Sequence, residues 1–483
     1  MNNPNVVLII VDTLRARNLS CYGYHRQTSP VLDNHAKDGT RFKNAFAEVI
    51  PTQPSFTSIL TGTNPILNNV VSHVLWKNAE MAAREQSSNI LLNETLRDKM
   101  PRITPQVKMA GELFQAGGYK TYAVDNLVKM RPHFGRGWDE YVYSSEASGE
   151  DRRFAVTADD INFHTFPLLS RIRNERFFLF LHYWEPHAPY EPPPEFQQFV
   201  KEVKDRQAMR QDLLIKGRDL SRDDFIYITK VDRDTVSRSS QSDLAHLLVE
   251  LEARYDGEIA YLDNRLGRLF EHLNKLGLDH NTIVVITADH GESFGSHNTL
   301  GHAGLHETTV HVPLWFRGPG IPAGKVVDGF ARHVDIVPTI LDFAGVKPDI
   351  PYELSGRSLR PEINGKTDGG IDAVYCAECG QQKTRSVRTR TWKFITSIQE
   401  EIRADHMPVQ ELYNLEKDPD EENNLISEYP GVAKELEEKM FRWVEAECRK
   451  YGRAKDVMVT TPLPDDLKAL EDPSRFAFSL PAK

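Results

Sequence analysis

The sequence predicts an α/β fold, with a large, mainly parallel mixed sheet sandwiched by helices and a smaller C-terminal α+β domain. Three short and nearly continuous apolar runs, at 5–12, 176–183 and 281–289, are typical of strands that are buried on both faces. Before the third run, apolar residues recur at helical spacing over 244–276, and Gly277 then provides a stop signal. This alternation of strand, helix and strand favours a parallel sheet.

The length of 483 residues favours one large domain and one smaller domain. We place the larger domain at 1–370 and the C-terminal domain at 371–483. Within the C-terminal domain, residues 385–396 alternate like one antiparallel strand, and a helix is expected over roughly 431–451. The extended tail that follows favours a homo-oligomer in which tails are exchanged, with a monomer as the alternative.

Residues 195–240 differ from the rest of the large domain because they are rich in charged side chains and poor in apolar ones. Such a segment is either a solvated surface excursion or a lid over a site, and the sequence leaves both interpretations open.

Composition excludes several classes of protein. The net charge of -10 gives a nucleic-acid partner no general electrostatic support. The sequence holds no apolar run long enough to predict a membrane-spanning helix. The apolar run near the N-terminus breaks at Asp12, which indicates a buried strand and not a signal peptide. Since four cysteines do not make a disulfide framework, we expect a cytoplasmic protein.

Cys376 and Cys379 are spaced like a zinc or redox pair. A structural zinc site needs two further ligands at matching spacing, so two unrelated buried thiols are the favoured interpretation.

Acidic residues and one histidine follow two of the predicted strands. Asp12 ends the first apolar run, and Asp289 and His290 end the third. Ligands of open α/β sheets collect beyond the carboxyl ends of the strands. Two carboxylates and an imidazole there would hold one divalent cation, with Mn²⁺, Mg²⁺ or Ca²⁺ favoured and Zn²⁺ as the alternative. Capping of turns is the competing explanation.

The segment EVIPTQPSFTSILTG (48–62) places many hydroxyl groups between two prolines, where a helix is about to begin. One interpretation is helix capping by Thr52 or Ser55. The other is that one hydroxyl is a nucleophile, and a helix N-terminus at the same place would favour a bound anion.

Six segments occur in an order that resembles the sulfatase family of the alkaline phosphatase superfamily. They are VDTLRARNLSCYGYHRQTSPVLD, PTQPSFTSILTG, FLHYWEPHAPYEPP, YDGEIAYLDNRLGRLFEHLNKLGLDHNTIVVITADHGESFGSH, VPL and ELYNLEKDPDEENNL. The resemblance covers nearly the whole chain and is weakest at 195–240. It implies an alkaline phosphatase-like catalytic domain over 1–370 and a metal-dependent hydrolase acting on a small anionic ester.

The resemblance also implies roles for single residues. Metal ligation is implied for Asp12, Thr52, Asp289 and His290. Catalytic roles are implied for Thr52, the nucleophile, and for His187 and His302 beside the bound ester. Asn126 falls near a substrate-binding lysine of many relatives. His182, five residues before His187, either contacts the substrate or packs within the sheet.

Two departures from the family pattern bear on the substrate. Typical sulfatases have Cys-x-Pro-x-Arg, with the cysteine converted to formylglycine, where this chain has Thr52 and Phe56. The second of two consecutive acidic ligands is also missing, because Thr13 follows Asp12.

A threonine cannot release sulfate by collapsing to an aldehyde, and its phosphate ester is easier to resolve beside a metal. Superfamily members with threonine at this position resemble phosphodiesterases and phosphoglycerol transferases. We therefore expect cleavage of a phosphate or phosphonate ester through Thr52. The alternatives are a sulfatase that uses unmodified Thr52 and a non-catalytic, metal-dependent protein that binds anionic esters.

Overall fold

The computed structural model describes residues 3–73, 102–144, 156–206, 241–366, 370–380, 382–398 and 408–461. The strands in these ranges are β1 (Asn5–Val11), β2 (Thr40–Phe46), β3 (Val49–Ile50), β4 (Lys120–Asp125), β5 (Glu140–Tyr143), β6 (Phe177–Tyr183), β7 (Thr282–Ala288), β8 (Ser293–Phe294), β9 (Leu300–Gly301), β10 (His311–Arg317), β11 (Lys325–Arg332), β12 (Val374–Cys379), β13 (Lys383–Arg388), β14 (Trp392–Ser397) and β15 (Gln410–Asn414).

The helices in the same ranges include one of 35 residues, α7. In chain order the α-helices are α1 (Pro30–Lys37), α2 (Thr52–Thr61), α3 (Pro65–Asn68), α4 (Ala110–Ala116), α5 (Ala158–Ile172), α6 (Gln198–Arg206), α7 (Gln241–Lys275), α8 (Glu307–Val310), α9 (Ile336–Ala344), α10 (Arg360–Ile363), α11 (Pro430–Lys450) and α12 (Val457–Thr460).

The large domain is built on an eight-stranded sheet with the order β11-β2-β10-β7-β1-β6-β4-β5. β1 lies between β6 and β7 and is parallel to both, so that Val7 is paired with Leu179 on one side and Val284 on the other. β4 and β5 continue the parallel part, and β10 is antiparallel to both of its neighbours. The predicted α/β fold with a mixed, mainly parallel sheet is confirmed.

The apolar runs form the central strands because helices cover both faces of the sheet. Every residue of β1, β6 and β7 is buried. The apolar stripe of α7 is buried too, with Tyr255, Ile259, Leu262 and Leu266 fully inaccessible to solvent. Gly277 follows this helix with a φ of +68°, a conformation that glycine adopts without steric cost.

The second sheet has five strands in the order β15-β14-β13-β12-β3. β12 to β15 are antiparallel and belong to the C-terminal part of the chain, whereas β3 lies just before α2 and pairs with β12 in parallel. The apolar face of α11 packs on this sheet, where Leu436 and Met440 share a buried cluster with Phe394. The smaller C-terminal α+β domain therefore also holds the chain directly before Thr52.

The single strand predicted over 385–396 is wrong, because the chain turns back in the middle of that segment. β13 and β14 form a hairpin, and the amide of Thr389 donates to the carbonyl oxygen of Trp392 at 2.8 Å. Both strands alternate with the same period, so the pattern of side chains alone does not reveal the turn.

Only part of the charged segment at 195–240 belongs to the described residues. Its beginning forms α6, whose Phe199, Val200 and Val203 pack against Val249 and Ala253 of α7. The lid interpretation rests on 207–240, which lies outside the described residues, as does the tail at 462–483. None of the described helices is long and apolar enough to span a lipid bilayer. The cytoplasmic location and the homo-oligomer stay predictions.

Cys376 and Cys379 are both free and buried on β12. They pack in different apolar clusters. Burial raises the pKa of each thiol to about 12. This arrangement fits two unrelated buried thiols.

The central strand offers a test of the core. Leu8 of β1 is fully buried, and Leu8→Ala should lower the free energy of unfolding by about 2–5 kcal/mol because it leaves a cavity. Val326 of β11 is 52% exposed, and Val326→Ala should change it by no more than about 0.5 kcal/mol. Urea denaturation followed by tryptophan fluorescence compares the two. Equal midpoints would contradict the placement of β1 at the centre.

Candidate active site

The three metal ligands predicted from the sequence meet at one edge of the large sheet. Asp12 follows β1, and Asp289 and His290 follow β7, its parallel neighbour. Each of the three offers a ligand atom that lies within 4.8 Å of the other two, and all three side chains are fully buried. The pairing of β1 with β7 therefore places the donors together.

A left-handed turn at Thr13 shapes this edge. Thr13 has a φ of 55°, which is rare for a β-branched residue and strained. Its amide donates to Oδ1 of Asp289 at 3.0 Å, and its carbonyl oxygen accepts from the hydroxyl of Tyr255 at 2.7 Å. The amide of His290 donates to the same carboxylate oxygen at 2.8 Å. These contacts fix one oxygen of Asp289.

The remaining atoms of the cluster suit a divalent cation. Among the described residues, neither oxygen of Asp12 has a hydrogen-bond partner, and the same holds for Oδ2 of Asp289. Burial, followed by the charge of Asp12, raises the pKa of Asp289 well above its usual range, because two close carboxylates resist ionising together. A cation between them would satisfy the bare oxygens and allow both groups to be charged.

His290 is held in the form that a metal requires. Its Nδ1 donates to the carbonyl oxygen of Gly291 at 2.9 Å, which leaves Nε2 with a lone pair; this tautomer is assigned from the hydrogen bond. Nε2 lies 3.2 Å from Oδ2 of Asp289. Burial lowers the pKa of His290 to about 4, so the ring is neutral near pH 7.

Thr52 is the first residue of α2, and its hydroxyl points to the same cluster. Oγ1 lies 3.2 Å from Nε2 of His290. The N-cap of α2 is Pro51, and no side chain caps this helix end, so capping does not explain the hydroxyl of Thr52. Ser55 does not cap the helix either, because its hydroxyl donates to the carbonyl oxygen of Asp289 at 2.6 Å. The start of α2 is thus attached to the end of β7.

His182 is buried inside the protein, between Asp125 and Asp12, and is not exposed to a substrate. This placement corrects its assignment to substrate binding. Its Nδ1 is 2.8 Å from Oδ1 of Asp125, and its Nε2 is 3.7 Å from Oδ2 of Asp12. The ring is fully buried and packs against Phe56 at 4.6 Å between ring centroids. His182 lies in the interior of the sheet, where it orients Asp12.

His302 is paired with Glu292 beside the site. Its Nδ1 lies 3.4 Å from Oε1 of Glu292, whose Oε2 accepts from the hydroxyl of Tyr190 at 2.8 Å. Burial lowers the pKa of His302, but Glu292 raises it more, so that the net change is upward. The ring centroid of His302 is 4.7 Å from that of His290 and 5.7 Å from that of His187.

His187 lies close enough to Asp12 for its charge to lower the pKa of that carboxylate. Burial raises the pKa of Asp12, but His187, His182 and His290 lower it more, to about 2. The Nδ1 of His187 donates to the carbonyl oxygen of Ala188 at 2.7 Å, which fixes the orientation of its ring.

Asn126 is buried at the end of β4, where its Oδ1 accepts from Nε1 of Trp184 at 3.1 Å. The carbonyl oxygen of its amide is therefore engaged within the protein.

Sequence reasoning missed two basic residues of this site, His73 and Arg131. The guanidinium of Arg131 donates from Nε to Oε1 of Gln53 at 2.8 Å and from Nη2 to the carbonyl oxygen of Ser72 at 2.7 Å. Burial lowers the pKa of His73, and the charges of His302, His290 and Arg131 lower it further. The sequence offered one signal, for Arg131 alone: a basic residue that follows β4 within a few positions. Such residues are too common in proteins to identify a site.

Comparisons with known proteins identify the family of the chain. The sequence model of the sulfatase family matches residues 4–346, and a model of the C-terminal part of N-sulphoglucosamine sulphohydrolase matches residues 295–446. The chain belongs to the sulfatase family. It is a hydrolase of ester bonds, and members of the family bind a divalent metal ion.

Relatives of this sulfatase-family chain include an arylsulfatase of Clostridium perfringens, 26% identical over 88% of this chain and 90% of the relative. An N-acetylglucosamine-6-O-sulfatase of Bacteroides thetaiotaomicron is 24% identical over 90% of this chain and 85% of the relative. A multifunctional alkaline phosphatase superfamily protein of Trinickia caryophylli is 26% identical over 75% of this chain and 77% of the relative.

Two solved structures show the same fold. One holds its substrate D-glucosamine-2-N,6-O-disulfate and matches with a TM-score of 0.69 and 22% identity over 93% of this chain and 98% of the other. The second is a phosphonate monoester hydrolase of Agrobacterium radiobacter, with a TM-score of 0.68 and 21% identity over 92% of this chain and 96% of the other.

Removing a carboxylate of the cluster should abolish metal binding there. We expect Asp289→Asn to weaken Mn²⁺ binding by more than the roughly 10–100-fold that loss of an outer-shell residue costs. Isothermal titration of chelator-treated protein measures the change. Asp328→Asn, at an exposed site, is the control and should bind Mn²⁺ like the unmodified protein. Equal affinities of the two variants would contradict the site.

The position of His182 predicts an indirect effect. His182→Gln should weaken Mn²⁺ binding by roughly 10–100-fold, because Asp12 loses the group that orients it. His280→Gln, on a surface side chain that is 77% exposed, is the matched control. If His182→Gln raises KM for the ester and leaves Mn²⁺ affinity unchanged, His182 contacts the substrate and does not position Asp12.

Proposed function

We propose that this chain hydrolyses a phosphate or phosphonate ester, with Thr52 as the nucleophile and one divalent metal ion as cofactor. The observation that carries the proposal is the 3.2 Å distance between Oγ1 of Thr52 and Nε2 of His290, beside two buried carboxylates. A hydroxyl at the start of a helix and next to a donor set for a cation is well placed for covalent catalysis.

Asp12, Asp289, His290 and Thr52 would hold the cation. Oxygen-rich ligands favour Mn²⁺, Mg²⁺ or Ca²⁺, and the imidazole leaves Zn²⁺ as the alternative. When bound, the ion supplies Lewis-acid charge that favours a deprotonated hydroxyl and offsets charge on the non-bridging oxygens of the substrate.

The residues of the chain account for the remaining steps. The hydroxyl of Thr52 loses its proton to solvent and its oxygen attacks phosphorus, forming a phosphoryl or phosphonyl ester of Thr52 as the bond to the leaving alcohol breaks. His302, whose pKa the carboxylate of Glu292 raises, donates a proton to the leaving oxygen or a hydrogen bond to a non-bridging oxygen, and His187 lies beside it. Water then attacks phosphorus, which releases the phosphate or phosphonate and restores the hydroxyl of Thr52.

Phosphoryl chemistry is preferred over sulfate chemistry because a threonine ester has no internal exit. Formylglycine releases sulfate by returning to the aldehyde, whereas a threonine ester is cleaved only by attack at phosphorus or sulfur. The resemblance to a phosphonate monoester hydrolase fold and to a multifunctional superfamily member is compatible with this choice.

Two relatives that carry sulfatase names keep a second candidate, a sulfuric ester hydrolase with unmodified Thr52. The non-catalytic binding protein is not favoured, because the relatives and neighbours of the chain are ester hydrolases.

A substrate panel with Thr52 variants tests the proposal. The p-nitrophenyl esters of phosphate, phenylphosphonate and sulfate, together with bis(p-nitrophenyl) phosphate, separate the two candidates. We expect Thr52→Ala to lower kcat by roughly 10³-fold or more on the best substrate, because the nucleophile is lost. Thr52→Ser keeps a hydroxyl and should retain part of the activity.

Mass spectrometry after an acid quench should show the substrate's phosphoryl or phosphonyl group on Thr52. Full turnover by Thr52→Ala would refute the role of Thr52. Turnover of the sulfate ester alone would select the second candidate.

A further inference from the structure

A second cluster of metal-ligating side chains lies between the two domains and shares no residue with the site at Asp12. It consists of His297, in the turn between β8 and β9, His306, directly before α8, and Glu411, in β15 of the C-terminal sheet. Each offers a ligand atom within 4.8 Å of the other two. His306 is 1% exposed and Glu411 is 3% exposed, so two of the three are removed from water.

The carboxylate of Glu411 is held in place by neighbouring side chains, as metal-ligating carboxylates are. Its Oε2 accepts from the hydroxyl of Tyr413 at 2.5 Å and lies 3.0 Å from Nε2 of His306. Two ligands of one zinc ion at bond lengths of about 2.0–2.2 Å are separated by a comparable distance. A tyrosine hydrogen bond to a ligating carboxylate is the kind of support that holds metal ligands in place.

His306 has one ring nitrogen that the protein leaves unsatisfied. Its Nε2 faces Glu411, and its buried Nδ1 has no hydrogen-bond partner among the described residues. Nε2 is therefore the nitrogen that an ion shared with Glu411 would use, and Nδ1 lies on another side of the ring.

His297 completes the cluster from a strained turn. Its φ of 55° lies in the left-handed region, which non-glycine residues adopt rarely. Its ring is parallel to that of His306, with 3.6 Å between the centroids and 1° between the planes. The nitrogen lone pairs lie in the planes of the rings, so those of two parallel rings do not converge on one ion. Binding of one ion by both histidines therefore requires the ring of His297 to rotate. The side chain of His297 is partly buried.

We propose that His297, His306 and Glu411 bind a zinc ion. Two imidazoles and one carboxylate are a donor set that suits Zn²⁺, whereas the carboxylate-rich cluster at Asp12 suits Mn²⁺, Mg²⁺ or Ca²⁺. The two sites therefore differ in the ions they prefer, and the second does not depend on the proposed reaction.

The position of this site gives the ion a structural role. His297 and His306 flank His302, the residue whose pKa Glu292 raises in the first site. The same loop is attached to the C-terminal sheet by Gly304, whose amide donates to Oε2 of Glu378 in β12 at 3.1 Å. His306 already contacts Glu411 of β15, and zinc shared by Glu411, His306 and His297 would hold both ends of the segment that contains His302 to the C-terminal sheet.

Zinc binding to the full chain tests the proposal. All measurements use the Asp289→Asn variant, in which the first site has lost a carboxylate. After chelator treatment, isothermal titration with Zn²⁺ should still show one class of stoichiometric sites, and Co²⁺ should give the visible absorption of a four-coordinate site. Adding His306→Gln or Glu411→Gln should remove both signals. Adding His280→Gln, an exposed histidine, should leave both unchanged.

Absence of stoichiometric zinc in the Asp289→Asn protein would overturn the proposal, and so would its retention after Glu411→Gln. Should the buried substitutions prevent folding, His297→Ala on the partly exposed turn replaces them and should weaken Zn²⁺ binding at least tenfold. The circular dichroism of each metal-free variant monitors the fold. No readout depends on ester turnover, so failure here leaves the role of Thr52 untouched.

Discussion

The arrangement of this protein depends on two carboxylates, Asp12 and Asp289, that are buried side by side at the ends of adjacent parallel strands. Burial and the charge of Asp12 raise the pKa of Asp289, so that Asp289 resists ionising without a compensating cation. Both oxygens of Asp12 and Oδ2 of Asp289 have no hydrogen-bond partner among the described residues. The surroundings are explained by this constraint: a strained turn at Thr13 turns a backbone amide toward Asp289, and His182 stands between Asp12 and Asp125. The strained turn and the buried carboxylates occur at the edge of the sheet where a bound cation would stabilise them.

The hydroxyl of Thr52 is positioned by both domains together. α2 is buried along its whole length, and Ser55 attaches its first turn to the end of β7. The strand directly before it, β3, pairs with β12 of the C-terminal sheet, and Glu378 of β12 also holds the amide of Gly304. Because the two domains hold the segments before Thr52 and after His302, the C-terminal domain is part of the active-site scaffold and not an appendage.

Where the chain departs from the family pattern, other side chains make contacts that support the site. Phe56, in place of an arginine, packs against His182 and so supports the ligand Asp12 from behind. The basic side chains near the site are His302, whose pKa Glu292 raises, and Arg131, which holds the side chain of Gln53 next to Thr52. The proposed transfer of a phosphoryl group to Thr52 and then to water needs no collapse of an aldehyde hydrate, which a threonine cannot undergo.

The sequence by itself determined the three buried central strands, the long helix and the acidic residues and histidine at the strand ends, because burial on both faces, helical periodicity and strand termini are local properties. It did not determine that β1 lies between β6 and β7, that residues 385–396 turn back on themselves, or that His182 lies behind Asp12. Arg131 with Gln53, and His306 with Glu411, are separated by tens of residues or more and meet only through packing. Contacts between distant segments arise from the order of the strands and the docking of the two sheets, which no short stretch of sequence encodes.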